Sequence, residues 1–125
     1  MKYFTLLELT VTHYSLPNVP NEEQTKNLEV GVEKLLDPLR EMWCAPIIVN
    51  SAFRSPEVNE AVGGAKNSQH LTGQAFDITS DNNRKLFELI KDNFSFDQLI
   101  DERDYAWIHV SYNDPDNNRN QILHL

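Results

Sequence analysis

The chain has 125 residues, of which 40% are hydrophobic and 24% charged, a balance typical of one folded domain rather than of a disordered chain. Nineteen acidic residues against eleven basic ones give a formal net charge of -8 at pH 7, and Lys and Arg form no cluster, which argues against nucleic acid as a partner. No run of about 18 apolar residues is present, so a membrane-spanning helix is also excluded.

The first third of the chain predicts helices. Thr5 and Glu8 have the spacing of a capping box, so a short helix is expected to begin near Thr5. Apolar residues recur at helical spacing over residues 22–43, which predicts a long helix whose apolar stripe packs against the core. Pro38 falls inside this pattern and predicts a kink or a break there. Cys44, the single cysteine, has apolar neighbours and is predicted to be a small buried hydrophobic residue.

The rest of the chain alternates short strands with shorter helices. Its predicted elements, in order, are a strand over 46–52, a helix that Ser55 caps and Gly63 ends, a loop over 65–74, a strand over 75–79, a helix over 81–93, strands over 97–100 and 107–112, and an edge strand over 121–125. Helices come mostly first and the later strands are joined by short turns. This order predicts an α+β fold with a mainly antiparallel sheet packed with helices, in a single domain spanning residues 1–125.

Two of the predicted strands each carry a polar side chain between apolar ones. Asp77 and His109 both have apolar residues on either side, and side chains alternate along a strand, so each polar residue faces away from the core. If the two strands are neighbours, Asp77 and His109 meet on one face, and Gly73 lets the preceding loop bring His70 over them. Two histidines and one aspartate are a donor set that catalytic zinc takes, with a fourth position left for water. By spacing alone, a surface histidine with a solvated aspartate remains an alternative.

Residues 68–77, SQHLTGQAFD, resemble the S-x-H-x-x-G-x-A-x-D motif of zinc D-alanyl-D-alanine carboxypeptidases, a family with relatives among phage endolysins and with the fold of hedgehog signalling domains. The resemblance implies a hedgehog-type, D-Ala-D-Ala-peptidase-like fold, Zn²⁺ as the cofactor, and His70, Asp77 and His109 as its ligands. Other stretches resemble the short phage and prophage branch of that family in the same order along the chain: residues 4–9, 36–40, 51–56, 96–100 and 107–111.

The resemblance also implies roles for residues around the metal. Arg54 matches the arginine that faces the substrate carbonyl or carboxylate in the family, although an ion pair with Glu57 or Asp77 is an alternative. The other side chains expected to line the substrate site are Ser68 and Gln69, from the motif, and Trp107, from strand alternation. The alternatives are that Ser68 and Gln69 only shape the loop and that Trp107 is a half-buried packing residue.

The general base is the position at which this chain departs from the family pattern. Many members carry an acidic residue three positions before the last histidine, and here that position is Ala106. Glu102 matches a glutamate that the short branch often carries after its Asp-Gln-Leu-Ile strand, and Asp101 and Asp104 are the alternatives. Because neighbouring residues of a strand face opposite sides, Asp101 and Glu102 are not expected to reach the metal together.

The resemblance therefore implies a monomeric zinc-dependent peptidoglycan peptidase, either a D-Ala-D-Ala carboxypeptidase or a cell-wall endopeptidase, that hydrolyses an amide through a metal-activated water. Two alternatives stay open: a catalytically weak or inactive metal-binding module, and a phage structural component that binds cell-wall fragments. The first residues lack the features of a signal peptide, so we expect a cytoplasmic protein that acts on the cell wall after release, in keeping with phage or prophage origin.

Overall fold

The computed structural model describes residues 1–125 and contains one five-stranded mixed sheet. The strands are β1 (Ile48–Ser51), β2 (Ala75–Thr79), β3 (Gln98–Glu102), β4 (Trp107–Ser111) and β5 (Gln121–His124). Their order across the sheet is β1-β2-β4-β3-β5, and all neighbours are antiparallel except β3 and β5, which are parallel. The predicted α+β fold with a mainly antiparallel sheet is confirmed, and the predicted C-terminal edge strand is present.

Polar side chains cap the start of three of the four α-helices. The helices are α1 (Glu22–Gly31), α2 (Asp37–Trp43), α3 (Pro56–Ala61) and α4 (Asn83–Asn93), with a short 3₁₀ helix at Gln69–Thr72. Asn21 forms a capping box with Gln24 at the start of α1, and Ser55 caps α3 with proline at its first position. None of these helices combines the length and the hydrophobicity needed to span a bilayer.

Helices α1 and α2 are joined by a π-helical turn, Val32–Leu36, rather than by a break. The backbone N–H of Asp37 donates to the Val32 carbonyl, five residues earlier, instead of to the residue four earlier. Pro38 has no N–H, and its ring would collide with the preceding turn of a regular α-helix. The wider turn accommodates Pro38. Of the two predicted outcomes, a kink or a break, the break is therefore absent, and the helical path continues to Trp43 after a local irregularity.

Two smaller predictions also differ from the structure. Thr5 and Glu8 form the capping-box hydrogen bonds, 3.1 Å from Thr5 N to Glu8 Oε1 and 3.2 Å from Glu8 N to Thr5 Oγ1, but residues 6–10 form turns and not a helix. Cys44 is exposed, so its predicted burial is wrong. Cys44 is the C-cap residue of α2 and has a left-handed backbone conformation, with φ of 59°.

The main hydrophobic core lies between the helices and one face of the sheet. Phe76 and Ile78 of β2 and Ile108 and Val110 of β4 are all buried in it, as strand alternation predicts. The ring of Phe76 lies directly against α1, because a Cβ atom on Gly31 would be only 2.7 Å from that ring. With these side chains committed to the helical layer, the alternate residues of β2 and β4 form the opposite face of the sheet.

Candidate metal centre

Three potential ligand atoms converge on the sheet face opposite the helices. Asp77 of β2 and His109 of β4 are directly opposed in the antiparallel register, and His70 of the 3₁₀ helix lies beside them. Asp77 Oδ1 is 3.2 Å from His70 Nε2 and 3.0 Å from His109 Nδ1. One ligand atom from each residue lies within 4.8 Å of the other two. The structure therefore brings together the three residues that the sequence pattern singled out.

Local backbone geometry fixes the position of His70. Ser68 caps the 3₁₀ helix by accepting a hydrogen bond from the His70 N–H at 3.1 Å, and the Arg54 N–H donates to the His70 carbonyl at 3.0 Å. Gly73 ends this helix with φ of 77°, and a Cβ atom there would lie 2.6 Å from the Gln24 carbonyl oxygen. Only glycine combines this left-handed conformation with such a close approach to α1, so Gly73 determines how the His70 loop returns over β2.

The hydrogen bonds of His70 test whether the cluster suits a metal ion. His70 Nδ1 lies 2.6 Å from the Ala52 carbonyl oxygen, which only accepts, so Nδ1 carries the proton. His70 Nε2 is buried without a hydrogen-bond partner, and the neighbouring Asp77 Oδ1 is also an acceptor. A cation between these two atoms, either a metal ion or a proton on Nε2, would satisfy both of them. The distances of 3.0 and 3.2 Å approach the ~3.4 Å expected between two ligands of tetrahedral zinc, so the residues fit a zinc ion.

The electrostatics of Asp77 favour its charged form. Burial raises the pKa of its carboxyl group, but the facing ring nitrogens of His109 and His70 outweigh that effect and hold the pKa well below its usual range in the metal-free protein. Arg54 donates from Nη2 to Asp77 Oδ2 at 3.0 Å, which leaves Oδ1 directed at the two histidines. Metal ligands must be deprotonated, so the site presents this carboxylate in the form that a metal ion requires.

Arg54 is held by three hydrogen bonds within the protein. Its Nε donates to Ser51 Oγ at 3.0 Å, its Nη1 to Asn59 Oδ1 at 3.3 Å, and its Nη2 to Asp77. Of the possibilities raised by the sequence, the structure shows the ion pair with Asp77. The side chain is only 14% exposed but still lines the site, with two of its five N–H groups outside these bonds. No sequence signal pointed to the supporting roles of Ser51 and Asn59.

The three candidate ligands line one cavity of about 570 Å³, a size that suits a small ligand or a short peptide segment. All five residues that the sequence proposed for catalysis or substrate contact also line this cavity: Arg54, Ser68, Gln69, Glu102 and Trp107. Further lining residues that the sequence did not indicate include Gln98, Ile100, Arg119 and Leu125.

Of the three acidic candidates for a general base, only Glu102 lines the cavity. Asp101 faces the other side of β3, where it is buried and bonded to His124, a residue to which the sequence assigned no role. The Asp104 side chain is 90% exposed and lies 3.7 Å from Arg84 on the surface. Strand alternation therefore separates Glu102 from its neighbour as the sequence predicted.

The turn after Glu102 has an unusual backbone. Arg103, Asp104 and Tyr105 are all in the left-handed region, with φ of 50°, 54° and 63°, which is unfavourable for residues with a Cβ atom. The side-chain amide of Asn83 in α4 donates to the Tyr105 carbonyl at 2.9 Å and holds this turn against the helix. Because the turn joins β3 to β4, it sets the register that places Glu102 and the metal ligands on the same sheet face.

Two histidines and a carboxylate that line a cavity, with a glutamate on its wall, are the side chains expected at the site of a metal-dependent hydrolase. Comparison with known families agrees. The Peptidase M15 family matches residues 2–111, and the chain belongs to this family of zinc-dependent peptidases. The family resemblance predicted from the sequence is thereby confirmed. No curated protein matches the chain.

Proposed function

We propose that the protein is a zinc-dependent peptidase that hydrolyses an amide bond in peptidoglycan peptides. The observation that carries this proposal is the convergence of the His70, Asp77 and His109 ligand atoms on a cavity that Glu102 also lines. Membership of the Peptidase M15 family supports the peptidase activity, and the cavity volume supports a short peptide as the substrate.

His70 Nε2, Asp77 Oδ1 and His109 Nδ1 are the atoms that would hold the ion, and Arg54 keeps Asp77 oriented through its second oxygen. Zinc bound there would lower the pKa of a coordinated water and polarise the substrate carbonyl. The two remaining N–H groups of Arg54 are available to substrate oxygen in the cavity.

Proton transfer falls to Glu102. Its carboxylate accepts a proton as water adds to the amide carbon, and it returns that proton to the leaving nitrogen when the C–N bond breaks. Since Asp101 is turned away and Asp104 is on the surface, the structure offers no second carboxylate among these candidates. The walls of the cavity, among them Ser68, Gln69 and Trp107, would then hold the peptide on either side of the scissile bond.

Digestion of purified peptidoglycan tests this proposal. Metal-stripped protein, the same protein after addition of zinc, and the His109→Ala variant are each incubated with peptidoglycan, and the released peptides are identified by mass. We expect zinc to restore activity and His109→Ala to lose at least about 100-fold. Asp104→Asn serves as a control with near wild-type activity. The masses also separate the loss of a terminal D-alanine from the cleavage of a cross-link.

Two results would contradict a hydrolytic function. Zinc binding without any release of peptides would indicate the alternative of a metal-binding module that does not hydrolyse its ligand. Full hydrolysis by His109→Ala, or by metal-stripped protein, would show that the His-Asp-His cluster is not the catalytic centre.

A further inference from the structure

A second guanidinium faces the candidate active site from a part of the chain outside the Peptidase M15 match. Arg119 lies between β4 and β5, beyond residues 2–111, and it lines the same cavity as the three candidate ligands. Its Nε donates to Asp97 Oδ1 at 2.9 Å and its Nη2 donates to Asp97 Oδ2 at 2.8 Å. This bidentate ion pair holds the guanidinium in a fixed orientation.

Asp97 connects Arg119 to the metal-ligand loop. Asp97 is buried, with 3% of the residue exposed, and its Oδ2 atom also accepts a hydrogen bond from Gln69 Nε2 at 2.9 Å. Gln69 directly precedes His70 in the 3₁₀ helix. The backbone N–H of Arg119 adds a further bond to Asp97 Oδ1 at 3.1 Å. Arg119 is therefore anchored to the same loop that carries a candidate zinc ligand.

The two arginines of the cavity differ in how much of the guanidinium is free. Arg54 makes three hydrogen bonds to three different residues and is 14% exposed. Arg119 directs its side-chain bonds to one carboxylate, keeps three of its five N–H groups outside those bonds, and is 56% exposed. Arg119 is thus the more accessible cation for an anionic group entering the cavity.

We propose that Arg119 binds a carboxylate of the peptide substrate and gives the enzyme a preference for acidic peptides. The proposal rests on the peptidase function proposed above. A guanidinium presents paired N–H donors that match a carboxylate, and Asp97 fixes the direction in which they point. Ile100, which also lines the cavity, offers an apolar contact for the alkyl part of the same residue. In this arrangement Arg54 orients Asp77, while Arg119 selects the substrate.

The test compares matched peptides for binding as well as for hydrolysis. The probes are a synthetic stem pentapeptide ending in D-alanyl-D-alanine, its C-terminal amide, and the pentapeptide in which the glutamate carboxylate is amidated. Titration calorimetry on zinc-loaded protein measures their affinities, and steady-state kinetics separate KM from kcat. The comparison of the two amidated peptides identifies which carboxylate Arg119 binds.

Arg119→Gln is expected to weaken binding of the acidic pentapeptide by about 10- to 100-fold, with the change in KM rather than in kcat, and to remove the preference over one of the two amides. Arg119→Lys, which keeps the charge but not the paired donors, is expected to be intermediate. Asp97→Asn distinguishes substrate selection by Arg119 from a structural role of the Arg119–Asp97 pair. This variant loosens the anchor of Arg119 but leaves the Arg119 charge, so we expect it to retain part of the preference for the acidic pentapeptide. Arg84→Gln is the surface control.

An unchanged ratio of acid to amide affinity in Arg119→Gln would overturn the inference, as would wild-type protein that binds all three peptides equally. If Arg119→Gln and Asp97→Asn weaken the binding of all three peptides equally, Arg119 has only a structural role in holding residues between β4 and β5. Hydrolysis with an unchanged ratio leaves the proposed function standing without this subsite. A preference that depends on Arg119 without hydrolysis refutes the peptidase function alone.

Discussion

The ion pair between Arg54 and Asp77 provides a direct test of how the site is held together. Replacing Arg54 with methionine keeps an apolar stem of similar length but removes the guanidinium. Asp77, whose side chain is 12% exposed, then loses its fixed positive partner, and Ser51 and Asn59 lose a donor. The prediction concerns the free energy of unfolding of the metal-free protein, which contains no ion to compensate the carboxylate.

The expected loss follows from the burial of the pair. Removing one partner of a buried ion pair costs several kcal/mol, because the remaining charge stays out of water without compensation. His70 and His109 still face Asp77 Oδ1, and both side chains of the pair retain some exposure, so the loss is at the lower end of that range. We expect Arg54→Met to lower the free energy of unfolding by about 2–4 kcal/mol.

Urea unfolding in the presence of a chelator measures this loss from the shift of the transition midpoint at constant slope. Arg84→Met is the matched control, since Arg84 pairs with Asp104 at 3.7 Å and both side chains are more than half exposed. The control is expected to lose no more than about 1 kcal/mol. Equal small losses of unfolding free energy in the two variants would contradict this prediction. They would mean that solvent compensates the Asp77 charge and that Asp77 does not depend on Arg54.

Three further predictions concern catalysis, packing and pH. Glu102→Gln should keep its zinc, measured by metal analysis, but lose about 10²- to 10⁴-fold in kcat, whereas Asp104→Asn should change kcat little; the reverse order would exclude Glu102 as the base. Gly31→Ala should lower the free energy of unfolding by about 1–2 kcal/mol in urea, because the new methyl group would overlap the buried Phe76 ring and the cost of that overlap exceeds the gain in helix propensity. A more stable variant would contradict this packing. The pKa of Asp97 is lowered, mainly by its hydrogen bond with the Arg119 guanidinium. The contribution of the Asp97 carboxylate to stability is therefore complete above the unfolded pKa of about 4, and it is lost as pH falls through the lower folded pKa. Asp97→Asn should therefore flatten the acid limb of stability against pH, and an unchanged limb would count against the pair.

The sequence was most informative where function depends on local periodicity. Alternation in β2 and β4 predicted that Asp77 and His109 face away from the core, and alternation in β3 predicted that Asp101 and Glu102 separate. Gly73 in the motif predicted a tight return of the chain, and the structure shows that its Cβ-free backbone is required there. Each of these properties depends on residues within a few positions of one another, so a single strand or turn is enough to determine it.

Features that depend on distant contacts were not accessible in the same way. The strand order, in which β4 lies between β2 and β3, follows from how the whole chain packs, and no local pattern encodes it. Arg119 and Asp97 are 22 positions apart and meet because β3 and β5 pair in parallel. Pro38 predicted a kink or a break, and burial of the apolar helical residues around it favours a continuous helix with a π-helical turn over a break.

The dependence of hydrolysis on zinc stoichiometry shows whether a zinc ion on His70, Asp77 and His109 is catalytic. Metal-stripped protein is titrated with zinc while the release of peptides from peptidoglycan is followed, and Asp77→Asn is titrated in parallel. We predict that the rate rises with added zinc, reaches its plateau near one equivalent per chain, and stays at the metal-free level in the variant over the same range. A wild-type rate that does not respond to zinc, or a variant that reaches the same plateau at one equivalent, would contradict a catalytic zinc on His70, Asp77 and His109.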